Sequence, residues 1–278
     1  MKKKLKIKNE RFVFTILMIA LFAIFLLYYN FVFSVVIARN SFANEMIEIA
    51  DQNEKPIFTV QKILMYSNAN AIDNSENQSL KDMSICQYTD LSIYIDNMSS
   101  ISELTDENTV KELYIDNIVM TSKADKGNKV LNYKSPLEFG KYKMIEPPEN
   151  NRVNFNIVNT NVENENNDYK NPTFYTDCSN PISLGYMNKD ILTNYAVSQD
   201  TNSVSFNGKV LKEASINLED INYTLSFNIH IVNNLNQKFV YHMNLDVNLN
   251  DDKGGIYNGY VFKGKNTSGS QYQFFKEF

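Results

Sequence analysis

The chain of 278 residues contains no tryptophan, two histidines, two cysteines and three arginines. Each shortage removes a class of chemistry. Two imidazoles cannot furnish a multi-histidine metal centre. Without a Gly-x-Ser-x-Gly, Ser-x-x-Lys or His-Glu-x-x-His pattern, a Ser–His–Asp hydrolase or zinc peptidase is hard to build. A Cys-x-x-Cys pair and a phosphate-cradling glycine loop are also missing, so the sequence asks for no cofactor. The lack of tryptophan weakens sugar recognition, although tyrosine and phenylalanine can stack in its place.

Positive charge is scarce outside the first eleven residues. Those eleven hold six basic residues and one acidic, leaving 21 basic and 31 acidic residues in the remainder, a net of −10. Binding to nucleic acid or to an anionic membrane surface needs clustered Lys and Arg, so an acidic body disfavours both. Asparagine is over-used, with 40 residues, and 24 lysines face 3 arginines. Such a bias resembles that of AT-rich genomes, as in low-GC Gram-positive bacteria. With this much asparagine, the sequons at Asn77, Asn97, Asn222 and Asn266 are expected by chance and are not read as glycosylation sites.

What the chain does have is one long apolar run. Phe12 to Ala38 carries no charged side chain over 27 residues, where roughly 20 apolar residues cross a ~30 Å hydrocarbon core. A cleaved signal peptide has an apolar stretch of only ~7–15 residues, so the run is expected to stay as an anchor in the lipid bilayer. Lys2, Lys3, Lys4, Lys6, Lys8 and Arg11 precede it and Arg39 alone follows closely. Cationic flanks remain cytoplasmic, which orients the chain N-in with its bulk outside the cell membrane. Behind the span, Phe42, Met46, Ile49 and Ala50 keep helical spacing, predicting a helical stalk over residues 39–55 that ends at the Asn53 to Pro56 break.

From Pro56 the apolar period changes to two. Tyr223, Leu225, Phe227, Ile229 and Ile231 alternate with polar residues, and Phe239, Tyr241, Met243, Leu245, Val247 and Leu249 do the same. Asn233 to Gln237 joins the two runs, predicting a hairpin with an odd-length loop. If paired numbers sum to 472, His230 and His242 stand opposite each other, though two imidazoles with a carboxylate such as Asp246 fall short of a structural zinc set. The pentapeptides Ile93–Asn97 and Leu113–Asn117, IYIDN and LYIDN, read as two similar strands, with Asp96 and Asp116 facing outward near strand ends. Further strands are expected at Phe58–Ser67, Arg152–Val158, Val210–Leu218, Ile256–Phe262 and Gln271–Phe275. Together they predict an all-β exported domain over 56–278, an antiparallel β-sandwich of Ig-like or jelly-roll type. The Asn/Glu-rich stretch 159–172 is a long loop or a boundary between two subdomains.

Cys86 and Cys178 both fall on the exported side, where a disulfide can persist, and bonded and free forms are both open. Asn248 to Gly255 resembles an EF-hand loop, but its glycine comes one place late and Gly259 stands where the bidentate Glu is required, so a polar turn is expected. The layout of helix, stalk and β domain resembles that of type IV pilins, and Val13 to Ile19 is similar to their GFTLIEL start. Val13 replaces the glycine and Met18 the glutamate of that motif. The sequence thus predicts a membrane-anchored binding or assembly domain of a bacterial cell envelope, non-enzymatic, meeting an envelope protein or polymer through Tyr-rich loops. A filament or export subunit, and a hydrolase using carboxylates alone, are the alternatives.

Overall fold

Pro56 has no N–H to give to a helix and disfavours helical geometry in the residue before it. The N-terminal helix accordingly stops just ahead of it. In a computed structural model of the chain, residues 2–54, 56–77, 79–98, 104–124, 126–134, 142–144, 151–159, 171–197, 207–250, 255–267 and 270–277 are described. Helix α1 runs unbroken over Lys2–Glu54, 53 residues, or about 80 Å at 1.5 Å per residue. Its stretch Phe12–Ile47 is long and apolar enough to cross a membrane, and none of it is buried in the protein. The six cationic positions from Lys2 to Arg11 lie on its first three turns.

Lys55–Phe278 forms a second, separate compact unit. Its strands are β1 (Thr59–Asp73), β2 (Met83–Asp96), β3 (Val110–Ser122), β4 (Asn128–Lys134), β5 (Tyr142–Met144), β6 (Val153–Asn154), β7 (Asn156–Val158), β8 (Thr173–Tyr175), β9 (Ile182–Tyr195), β10 (Tyr223–Asn233), β11 (Lys238–Val247), β12 (Tyr260–Asn266) and β13 (Phe275–Glu277). A short helix, α2 (Lys209–Glu213), precedes β10. The first sheet has the order β12-β1-β2-β9-β4-β5 and the second β13-β11-β10-β3-β6, while β7 and β8 form a parallel pair. Every pairing within the two larger sheets is antiparallel.

Period-two alternation places one face of each sheet in a shared core. Ile63 and Met65 of β1, Leu91 and Ile93 of β2 and Leu184 of β9 belong to the same buried cluster as Leu113 and Ile115 of β3 and Leu225, Phe227, Ile229 and Ile231 of β10. Across it, Phe58 meets Phe239 edge-on at 5.2 Å and Phe274 at 6.3 Å. Tyr186 of the first sheet touches Tyr223 of the second, with ring centroids 4.1 Å apart.

Several expectations need correction. Val210–Leu218 is not a strand: Val210, Leu211 and Ala214 follow helical spacing, and the first two are buried on α2. Ser215 then takes a positive φ, and the Asn217 side chain caps a 3-10 turn at Leu218–Asp220. Residues 271 and 272 likewise belong to a 3-10 turn, so β13 begins only at Phe275. Gly255–Asn258 is a third such turn ahead of β12. In the β10/β11 hairpin the pairs sum to 470, with Val232 opposite Lys238. Asn233 N–H donates to Gln237 O, leaving a three-residue loop in which Asn236 takes φ 59. His230 therefore faces Val240, and His242 faces Asn228.

Asp96 ends β2 as expected, but Asp116 lies inside β3. The strand passes a register shift there, with Asn117 at φ 50, and continues to Ser122. Strands β4, β5, β8 and β9 went unpredicted. The start of β9, Ile182 to Tyr186, is buried on both faces and gives no alternation, and Gly185 interrupts what apolar signal remains. Within the 159–172 stretch, residues 160–170 lie outside those described; so do 251–254 of the EF-hand-like turn.

Candidate functional site

Strands that bury their odd-numbered residues must show the even-numbered ones to the other side. In the first sheet those positions are unusually aromatic. Register sets Tyr260, Asn68, Tyr88 and Met187 in one row across β12, β1, β2 and β9, and Phe262, Tyr66, Asp90 and Gly185 in the next. Tyr94 of β2 lies further along, opposite Lys62. Tyr260 and Phe262 are 59% and 62% exposed. Tyr66 and Tyr260 stack at 5.8 Å.

Hydrogen bonds fix this face. Asn68 Nδ2 donates to the Tyr66 hydroxyl at 3.1 Å, while its Oδ1 accepts from the backbone of Ala69 and Gly208 at 2.8 and 2.9 Å. The amide is thereby held from three directions and the ring it supports loses rotational freedom. Burial, followed by the neighbouring Tyr66, raises the Tyr88 phenol above its ordinary value, keeping it a neutral donor. Aromatic rings set side by side on one sheet face offer stacking area at low entropic cost. Tyr66, Tyr94 and Tyr260 stand on strands, within segments expected to be strands, whereas the contact surface was expected in Tyr-rich loops. Their signal was legible in part, since Tyr66, Tyr88 and Tyr94 occupy the polar phase of otherwise alternating strands.

The outer face of the second sheet carries a different cluster. His230 Nε2 lies 3.0 Å from Asp116 Oδ1, and its ring stacks on Tyr114 at 4.4 Å and 10°. The Arg152 guanidinium sits 3.6 Å from the Tyr114 ring centroid. Glu277 Oε1 of β13 is 3.6 Å from His230 Nδ1. Burial pushes the Tyr114 phenol up, against the pull of Arg152. This is a cross-strand network tying β3, β10 and β13 together. His242, by contrast, is exposed and bonds to Asn228 Oδ1 at 2.9 Å, so the two imidazoles do not share a ligand position. Among the described residues no group of three or more His, Cys, Asp or Glu side chains is placed to hold a metal.

An open depression of about 730 Å³ lies beside this cluster, lined by Asn236, Gln237, Lys238, Lys276 and Glu277. It brings one carboxylate next to two lysines and does not bring two carboxylates together. Comparison with known families, with curated proteins and with solved structures finds no match to the chain.

The two cysteines are free and buried, and the bridge left open by the sequence is not formed. Cys178 lies in the turn after β8, near enough to Asp96 for that carboxylate to act on its thiol. Cys86 is ten residues back along β2 from Asp96, about 30 Å at the rise of a strand. A disulfide needs Cα atoms within about 7 Å. Burial raises both thiols above their ordinary value, which leaves them unreactive.

Proposed function

We propose that the chain is a single-pass, N-in protein of a bacterial cell membrane whose exported β unit, a sandwich, works by binding or assembly and not by catalysis. The partner is an envelope protein or polymer, met on the outer face of the first sheet. The observation that carries this reading is the run of rings on that face, Tyr66, Tyr88, Tyr260 and Phe262 in adjoining rows, two of them more than half exposed. Large exposed rings set side by side mark contact surfaces more often than they serve the fold. The net charge of −10 outside the N-terminal tail supports a partner that is neither nucleic acid nor an anionic lipid surface. The long apolar helix and the cationic residues ahead of it support the anchor and its orientation.

The test is cross-linking of the full chain in intact membranes, followed by pull-down and identification. Wild type is expected to capture one recurring partner, and the paired substitution Tyr260→Ser with Phe262→Ser to lose it at unchanged expression. Equal capture by both proteins defeats the assignment of this face. Protease treatment of intact cells tests orientation: digestion is expected to consume the β unit and spare the first eleven residues.

A further inference from the structure

The inner face of the first sheet is apolar along most of its length, but two adjoining rows are not. Ser67, Thr89 and Tyr186 stand side by side on β1, β2 and β9, and Gln87 of β2 faces Asn188 of β9 in the next row. All five side chains belong to residues no more than 3% exposed. Tyr223 of the second sheet closes over them against Tyr186. Part of this cluster satisfies itself. Gln87 Nε2 donates to Thr89 Oγ1 at 2.7 Å, and the Ser67 and Thr89 hydroxyls are bonded at 2.7 Å. Asn188 turns its Nδ2 to Lys126 O at 3.1 Å and leaves Oδ1 beside Gly127 without a hydrogen bond.

Besides Asn188 Oδ1, three atoms around Thr89 are without a protein partner: Gln87 Oε1, the Tyr186 hydroxyl and the Tyr223 hydroxyl. The Tyr223 hydroxyl approaches Thr89, whose oxygen already serves Gln87 and Ser67, and finds no well-aligned partner of its own. A buried polar atom left without a hydrogen bond costs about 1–3 kcal/mol, and three in one place are far above the ordinary scatter in a native core. The demands are also of opposite kinds. Burial raises both phenols, so each stays protonated and able to donate, whereas the amide oxygen can only accept. The cluster holds no charged side chain to offset an ion, and an uncompensated buried charge costs far more than a neutral group. The guest must be neutral and able to do both.

We infer that the core between the sheets contains a binding site for water, formed by Gln87 Oε1, Tyr186 Oη and Tyr223 Oη beside the Ser67–Thr89 pair. The water accepts from one or both phenols and donates to the Gln87 amide, so one molecule links β2, β9 and β10 across the interior. A buried water needs two to four polar partners, and this cluster supplies three.

The test has two arms, both on the full chain in detergent or lipid. The first is a diffraction structure of the wild type fine enough to show ordered water. Density is expected within about 2.6–3.2 Å of Gln87 Oε1 and of at least one phenol oxygen. A dry core, with Gln87 or the phenols turned to bond one another directly, overturns the inference, as does a larger guest in the same place. The second arm measures unfolding by denaturant for Gln87→Met, Tyr186→Phe and the double variant. With water present, each single change lowers the unfolding midpoint by about a fivefold shift in equilibrium constant, one hydrogen bond's worth. The double variant falls by less than the sum, because both residues share one molecule. If the atoms are simply orphaned, Tyr186→Phe raises the midpoint and its effect adds to that of Gln87→Met, which loses the Gln87–Thr89 bond in either case; that outcome refutes the site. A variant that fails to fold leaves the decision with the wild-type density.

Discussion

Two phenylalanines separate the core from the surface of the β unit, and substituting each by alanine tests both the fold and the proposed contact face. Phe58 is fully buried, lies edge-on to Phe239 and Phe274, and accepts the Phe274 N–H at 3.0 Å through its own carbonyl. Removing its ring deletes roughly 150–250 Å² of buried apolar surface and leaves a cavity between the sheets. Phe→Ala at such sites costs about 3–5 kcal/mol, which is a large share of the ~5–15 kcal/mol that a domain has in total. For a unit of this size, near 2–4 °C of melting temperature per kcal/mol, Phe58→Ala should melt on the order of 10 °C below wild type. Phe262 is 62% exposed on β12, so Phe262→Ala should change stability by no more than about 0.5 kcal/mol while weakening partner capture. Tyrosine fluorescence in a thermal ramp of the detergent-solubilised chain, which has no tryptophan to obscure it, reads both. Comparable losses from the two substitutions would refute the assignment of inner and outer faces on which the contact surface depends.

Three further outcomes are expected. The Asp73 carboxylate accepts from Ser75 Oγ, Ser75 N–H and Leu80 N–H, which lowers its pKa below 3.8. A group depressed in the folded state contributes stability that is present above its unfolded pKa and lost as pH falls through the folded one; Asp73→Asn should therefore be less stable than wild type at neutral pH, with the gap closing in acid below the ordinary Asp range. Gly127 takes φ +75 and a Cβ there would come within 2.1 Å of Asn188 Oδ1, so Gly127→Ala should destabilise by about 1–3 kcal/mol in denaturant titration, whereas the same change at a conformationally free loop glycine would be neutral or stabilising. Cys86 and Cys178 should resist a thiol reagent until denaturant is added, and gel mobility should not depend on reductant; rapid labelling of the native chain would contradict their burial.

The echo of IYIDN and LYIDN shows how far sequence reading reaches. Both pentapeptides are strand, because Ile93, Ile95, Leu113 and Ile115 bury one face in either setting. Yet Asp96 accepts from the Met98 N–H and shapes a turn, while Asp116 holds His230, 114 residues away in the chain. Nearly identical local sequence acquires different partners because the second depends on which strand pairs alongside. The hairpin's odd loop followed from parity, but the one-step difference in register came from the αL turn at Asn236, whose geometry alternation does not encode. The start of β9 escaped for a related reason: a segment covered on both sides has no polar phase to reveal it.

By itself the sequence determined the apolar length that makes α1 able to span a membrane, the end of that helix before Pro56, and the two-residue period that makes antiparallel strands of segments such as β10 and β11. These are local properties, set by backbone sterics and by the transfer of side chains out of water. Tertiary structure alone decided which strands neighbour one another, and so which side chains meet: the rings of Tyr66, Tyr88, Tyr260 and Phe262 on one outer face, the His230 cluster on the other, and Gln87, Tyr186 and Tyr223 inside. Such groupings join residues up to about two hundred positions apart, and they arise only when closing the long loops between strands is offset by the core those strands bury together.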